Sequence, residues 1–71
     1  MIHTPKSSHI KEFEYLPSTQ ELKVRFSTND REYVHQGFPP ESWKALQKFP
    51  SAGTYYHRFV KGKYKLLTSD V

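Results

Sequence analysis

Glu21-Leu22-Lys23-Val24-Arg25-Phe26-Ser27 is the stretch that decides the fold. Leu22, Val24 and Phe26 alternate with Lys23 and Arg25, the period of a strand with one face buried and the other in water. On its N-terminal side Leu16-Pro17-Ser18-Thr19 reads as a turn, because proline withdraws a donor from any continuing ladder. Before that turn Ile10, Phe13 and Tyr15 supply apolar groups among Lys11, Glu12 and Glu14. The step from Ile10 to Phe13 breaks strict alternation and predicts a strand with a bulge or kink. On the C-terminal side Asn29 and Asp30 mark a turn, and Arg31-Glu32-Tyr33-Val34-His35 returns as a third strand. Tyr33 and His35 then share one face, with Val34 opposite.

Gly37-Phe38-Pro39-Pro40 closes this meander. Pro40 suits the first turn of a helix, where its missing N–H costs nothing, and Glu41 complements the positive helix end. Trp43, Leu46 and Phe49, with Ala45 beside them, have the spacing of a short amphipathic helix that Pro50 stops. A second helix follows at once. Ser51 is its N-cap, Tyr55, Tyr56, Phe59 and Val60 form an aromatic stripe, and Gly62 is a left-handed stop flanked by Lys61 and Lys63. Sheet and helices each have one apolar face that must leave water, so the expected fold is α+β: a three-stranded antiparallel meander followed by two short helices packed on one face. Residues 8–65 make one domain, 1–7 a polar, flexible arm and 66–71 a frayed tail. Trp43, the single tryptophan, is expected as a core anchor against Phe26; exposed, it would mark a protein interface.

A chain of 71 residues without cysteine is near the size at which one core barely suffices, and no disulfide can staple it. Neither a signal-like apolar run nor a stretch of membrane-spanning length is present, so a soluble cytoplasmic protein is expected, with no membrane contact. Residues 1–41 hold five Lys/Arg against six Asp/Glu; residues 42–71 hold six against the single Asp70. The +4 formal charge therefore resides in the second half. A basic half interleaved with aromatics is the footprint of a surface that faces a polyanion.

The window from Ser51 to Tyr64 concentrates that signal. Tyr55 and Tyr64 are read as stacking rings for unpaired bases, and Arg58, Lys61, Lys63 and Lys65 as phosphate contacts. Core packing is the competing role for these aromatics, above all for Tyr56 and Phe59. Lys23 and Arg25 would extend the patch from the outward face of their strand. His3, His9, His35 and His57 show no HxxxH or similar ligand spacing, so neither a metal nor another cofactor is expected. His35 and His57 as an acid–base pair, with Lys61 on a phosphate, would make a nuclease. Ser51 has an adequate task as a helix cap and is not read as a nucleophile.

The chain resembles the KTSC domain, a short module found at the C-terminus of some lysyl-tRNA synthetases and as a stand-alone small protein in bacteria and their phages. The resemblance runs from Ser8 to Tyr64. It is carried by Ser8 with Ile10, Tyr15, Leu22-Lys23-Val24-Arg25-Phe26, Tyr33, Phe38-Pro39, Ser51, Gly53, Tyr55-Tyr56 and Tyr64. The Tyr-x-Tyr that marks the family stands here as Tyr33-Val34-His35, and its Asn-x-x-Ile as His57-Arg58-Phe59-Val60. What the resemblance implies is an RNA-binding role. The sequence therefore reads as a non-enzymatic module that binds RNA or single-stranded DNA through a basic aromatic surface. The alternative is a protein-interaction or homo-oligomerising accessory factor docking on a larger partner.

Overall fold

The alternation in Glu21–Phe26 puts Leu22 and Val24 entirely inside, and the sheet is built around that strand. A computed structural model of the protein describes residues 1–7, 9–28 and 31–66. Among these, five strands pair antiparallel in chain order: β1 (Ile2–His3), β2 (Ile10–Leu16), β3 (Glu21–Phe26), β4 (Glu32–Gln36) and β5 (Lys65–Leu66). The expected meander is β2-β3-β4, and the register shifts between Ile10 and Glu12, where the broken alternation predicted a bulge. The sheet is wider than expected by two edge strands. Ile2–His3, in the segment read as an arm, pairs with Phe13 and Glu14, and the Tyr15 amide donates to the Met1 carbonyl at 2.7 Å. Lys65–Leu66 pairs with His35 and Gln36. Both additions satisfy backbone groups that β2 and β4 would otherwise leave open at a sheet edge. The turn at Asn29-Asp30, the contribution of Ser8 and the tail beyond Leu66 lie outside the described residues.

Helix α1 (Pro40–Lys48) begins with Pro40 in its first turn, and the Phe49 amide closes it on the Ala45 and Leu46 carbonyls just before Pro50. It lies over the β1-β2 side. Trp43 is buried, but its partner is Tyr15, stacked at 5.3 Å, with His3 edge-on at 6.4 Å. Phe26, the expected partner, is four residues along β3 from Tyr15's cross-strand neighbour Leu22 and instead meets Tyr33 and Tyr56. The second helix covers that half of the sheet. The core thus runs from Ile10, Phe13 and Tyr15 through Leu22, Val24 and Phe38 to Trp43, Leu46, Ala52, Tyr55, Tyr56 and Val60. Each large apolar side chain so buried contributes about 1.5–3 kcal/mol. Tyr15 also donates its hydroxyl to the Phe38 carbonyl at 2.6 Å, so this buried phenol has its partner.

The opposite face of the sheet carries Glu12, Glu14 and Glu32. Arg25 sits between Glu32, 2.6 Å from its Nη2, and Glu12, 3.6 Å from its Nη1, while Lys23 is directly across from Glu14. Arg25 is thereby neutralised, and the expected extension of the basic patch through Lys23 and Arg25 faces away from the helices.

Candidate nucleic-acid interface

The interface is organised by how the second helix is wound. Ser51 accepts a hydrogen bond from the Thr54 amide at 3.3 Å and starts α2 (Ala52–Tyr55). The regular helix expected onward to Gly62 does not continue. Tyr56–Val60 forms a π-helical turn, closed by the Lys61 amide on the Tyr56 carbonyl at 2.8 Å. One extra residue per turn brings Tyr55, Tyr56 and Val60 all inward and turns Phe59 out, 47% exposed. Gly62 then takes φ = +77°, the left-handed stop its sequence position suggested, and the chain leaves for β5.

This winding decides which predicted site residues are accessible. Arg58, Lys61, Lys63 and Lys65 are exposed. Tyr64 is half-buried, edge-on to Phe38 at 5.1 Å, with part of its ring free. Tyr55 is a correction: it is 7% exposed, packed between Phe49 and Phe59, with its hydroxyl donated to the Ser42 carbonyl at 3.3 Å. Its ring belongs to the core and offers no face to a base.

Two grooves flank the π-helical turn. The first, of about 680 Å³, is lined by Lys6, His9, Phe26, His57 and Arg58 together with the start of α2. The second, of about 500 Å³, is lined by Phe26, Tyr33, His35, Tyr56, His57, Lys61, Tyr64 and Leu66. Phe26 and His57 line both, so the grooves adjoin and make one track across this side of the molecule. No Asp or Glu among the described residues lines either groove. Sequence reading missed Lys6, His9 and Tyr33 as site residues. Lys6 and His9 reach the track only because the chain folds back from β1 into β2, and nothing local in the sequence marks that return.

At the inner end of the second groove the Tyr56 hydroxyl lies 3.0 Å from His35 Nε2. Both residues are buried. Burial pushes the Tyr56 hydroxyl up to about 12, with Tyr33 adding to the effect. Burial also holds the His35 imidazole below its ordinary value, opposed by the Tyr64 backbone. Both groups are therefore neutral near pH 7. Among the described residues His35 Nδ1 closes no hydrogen bond. His35, His57 and Lys61 do line one groove, but His35 keeps Nε2 engaged and has an Nδ1 shielded from solvent, so it presents no free nitrogen for proton transfer to a ligand. No group of three or more His, Cys, Asp or Glu among the described residues is placed to hold a metal ion, and no described helix is long and apolar enough to cross a membrane.

Comparison with known proteins supplies the context. Residues 6–64 match the family model described as the KTSC domain. The lysine-tRNA ligase of Trichormus variabilis is 38% identical over 61 residues, and that of Nostoc sp. 36%; each match covers 86% of this chain but 11% of the ligase. The chain thus spans about a tenth of the length of these curated relatives. A KTSC domain protein from Yersinia pestis superimposes with a TM-score of 0.86 at 21% identity, over 99% of this chain and 97% of that one, which shows a shared fold.

Proposed function

The chain belongs to the KTSC domain family, and from that premise we propose that it is a small binding module for single-stranded nucleic acid, RNA foremost. The observation that carries this reading is the track along the π-helical turn: two adjoining grooves, rimmed by Lys6, His9, His57, Arg58 and Lys61, the second walled by aromatic rings, and both free of acids among the described residues. The acids Glu12, Glu14 and Glu32 gather on the other side of the sheet. That segregation orients a polyanion onto one side and repels it from the other. The curated relatives are named for joining lysine to tRNA, and a module shared with them would work beside RNA; the match covers 11% of each ligase. Basic side chains hold phosphates without reading sequence, and aromatic faces accept any base, so binding is expected to be sequence-tolerant.

The test is an anisotropy titration of labelled single-stranded RNA at low and physiological salt. Log affinity should fall with log salt by about 0.7 per phosphate contact, and Arg58→Ala/Lys61→Ala, which removes two cations that line the track, should flatten that slope by about 1.4. Absence of binding even at low salt would overturn the proposal. One observation favours a second reading, a protein-docking module: Phe59 is 47% exposed beside Phe49 and Tyr55. An interface centred on that ring would be nearly insensitive to salt.

A further inference from the structure

The two grooves differ in chemistry, and the difference assigns them different parts of the ligand. We infer that the groove between β4, β5 and the π-helical turn seats a single unpaired nucleobase, while the adjoining groove takes the phosphates that flank it; the inference rests on the nucleic-acid reading above.

The base seat has aromatic walls. Phe26, Tyr33, Tyr56 and Tyr64 line it together with Leu66, and Tyr33 and Tyr64 are only half-buried, so both keep part of a ring free for a ligand. A flat, uncharged ring with polar edges gains from such walls, whereas a phosphate there would lose its hydration without an adequate set of donors. The seat is also fixed in shape. The bond between His35 Nε2 and the Tyr56 hydroxyl ties β4 to the π-helical turn, and the Phe26 ring meets Tyr33 and Tyr56 edge-on, both at 5.5 Å. Little ordering is left for the moment of binding.

The neighbouring groove has the opposite character. Lys6, His9 and Arg58 line it, and Phe26 is one of its few large apolar side chains. His57 lines both grooves, so a strand whose base enters the aromatic seat passes its sugar–phosphate chain over His57 toward Arg58 and Lys6. Lys61, on the rim of the seat, meets the phosphate on the other side. The occupant is a nucleotide unit of a single strand. An aromatic peptide side chain would fill the seat but leave the line of cations from Lys6 to Lys61 without countercharge.

Short strands with equal numbers of phosphates test this: one wholly abasic, one abasic except for a single internal 2-aminopurine, each with ribose and with deoxyribose to identify the strand bound. With the unmodified protein at low salt, the single base should tighten binding by about tenfold over the abasic strand, and its fluorescence should be quenched on binding. Tyr33→Leu/Tyr64→Leu should remove that gain and the quenching but leave the salt slope in place. Arg58→Ala should reduce the salt slope and leave quenching at saturation unchanged. Equal, salt-dependent affinity for the two strands with unquenched 2-aminopurine would overturn the base seat and leave nucleic-acid binding standing. No binding to either strand, or to an ordinary oligonucleotide, would overturn both. Displacement of the aminopurine strand by an aromatic peptide lacking acidic residues as readily as by an ordinary oligonucleotide would also overturn the base seat. The strand comparison uses the parent protein, so a variant that fails to fold does not weaken it.

Discussion

The Tyr56 hydroxyl and His35 Nε2 lie 3.0 Å apart, joining the π-helical turn to β4 across 21 residues of sequence. An imidazole and a phenol thus make the bond at the base of the aromatic groove.

The pair sets the range of pH over which the fold is strongest. In the folded chain His35 titrates below its ordinary 6.5, so as pH falls through 6.5 the unfolded chain takes up a proton first and stability is lost. The slope is at most about 1.4 kcal/mol per pH unit, and stability is full above 6.5. Tyr56, raised from 10.0 to about 12, acts at the other end: the unfolded chain ionises first above pH 10, and stability falls until about 12. Denaturant titrations from pH 5 to 11 should show a plateau with a loss on each side. His35→Tyr should flatten the acid limb. Tyr15 and Tyr55, also raised by burial, add to the alkaline limb. Tyr56→Phe should therefore make that limb shallower without abolishing it, and should cost about 1–3 kcal/mol at pH 7, because it leaves His35 Nε2 unpaired.

Ser51 caps the helix that carries the track. Ser51→Ala should lower stability by about 1 kcal/mol, read as a shift of the denaturation midpoint at unchanged slope, while Ser51→Asp should retain most of it.

Gln20 stands at φ = +55° in the turn between β2 and β3 and gives its carbonyl to the Phe38 amide at 2.9 Å. A side chain in this left-handed region costs about 1–2 kcal/mol, and glycine relieves it while freeing the unfolded chain somewhat. Gln20→Gly should therefore stabilise by about 0.5–1 kcal/mol. A loss of stability would show that the side chain makes a compensating contact.

Charge reversal distinguishes the two sides of the sheet. Lys6→Glu, in the phosphate groove, should weaken RNA binding by about tenfold or more at low salt. Lys23→Glu, across from Glu14 on the opposite face, should change it by under about twofold. Equal effects would show that net charge alone governs binding.

Much of this was legible in the sequence where periodicity was long enough to speak. Leu22, Val24 and Phe26 define β3, and the misplaced step from Ile10 to Phe13 announces the bulge that the register shows. Ile2–His3 and Lys65–Leu66 were not legible, because a two-residue strand has no period and is recruited by the open edges of β2 and β4. Arg58, Lys61 and Tyr64 could be picked out by composition and all line the track. Tyr55 and Phe59 could not be sorted, because the π-helical turn exchanges their expected exposures and leaves no mark in residue type. Lys6 and His9 join the site through a return of the chain that only tertiary structure reveals.

Mapping bound RNA by amide chemical shifts on the uniformly labelled protein tests the central claim most directly. The account predicts that an unlabelled single strand perturbs Lys6, His9, His57, Arg58, Lys61 and Tyr64, with Tyr33 beside them, and that the changes fade as salt rises. Perturbations centred on Glu12, Glu14, Lys23 and Glu32, or none at saturating RNA and low salt, would contradict it.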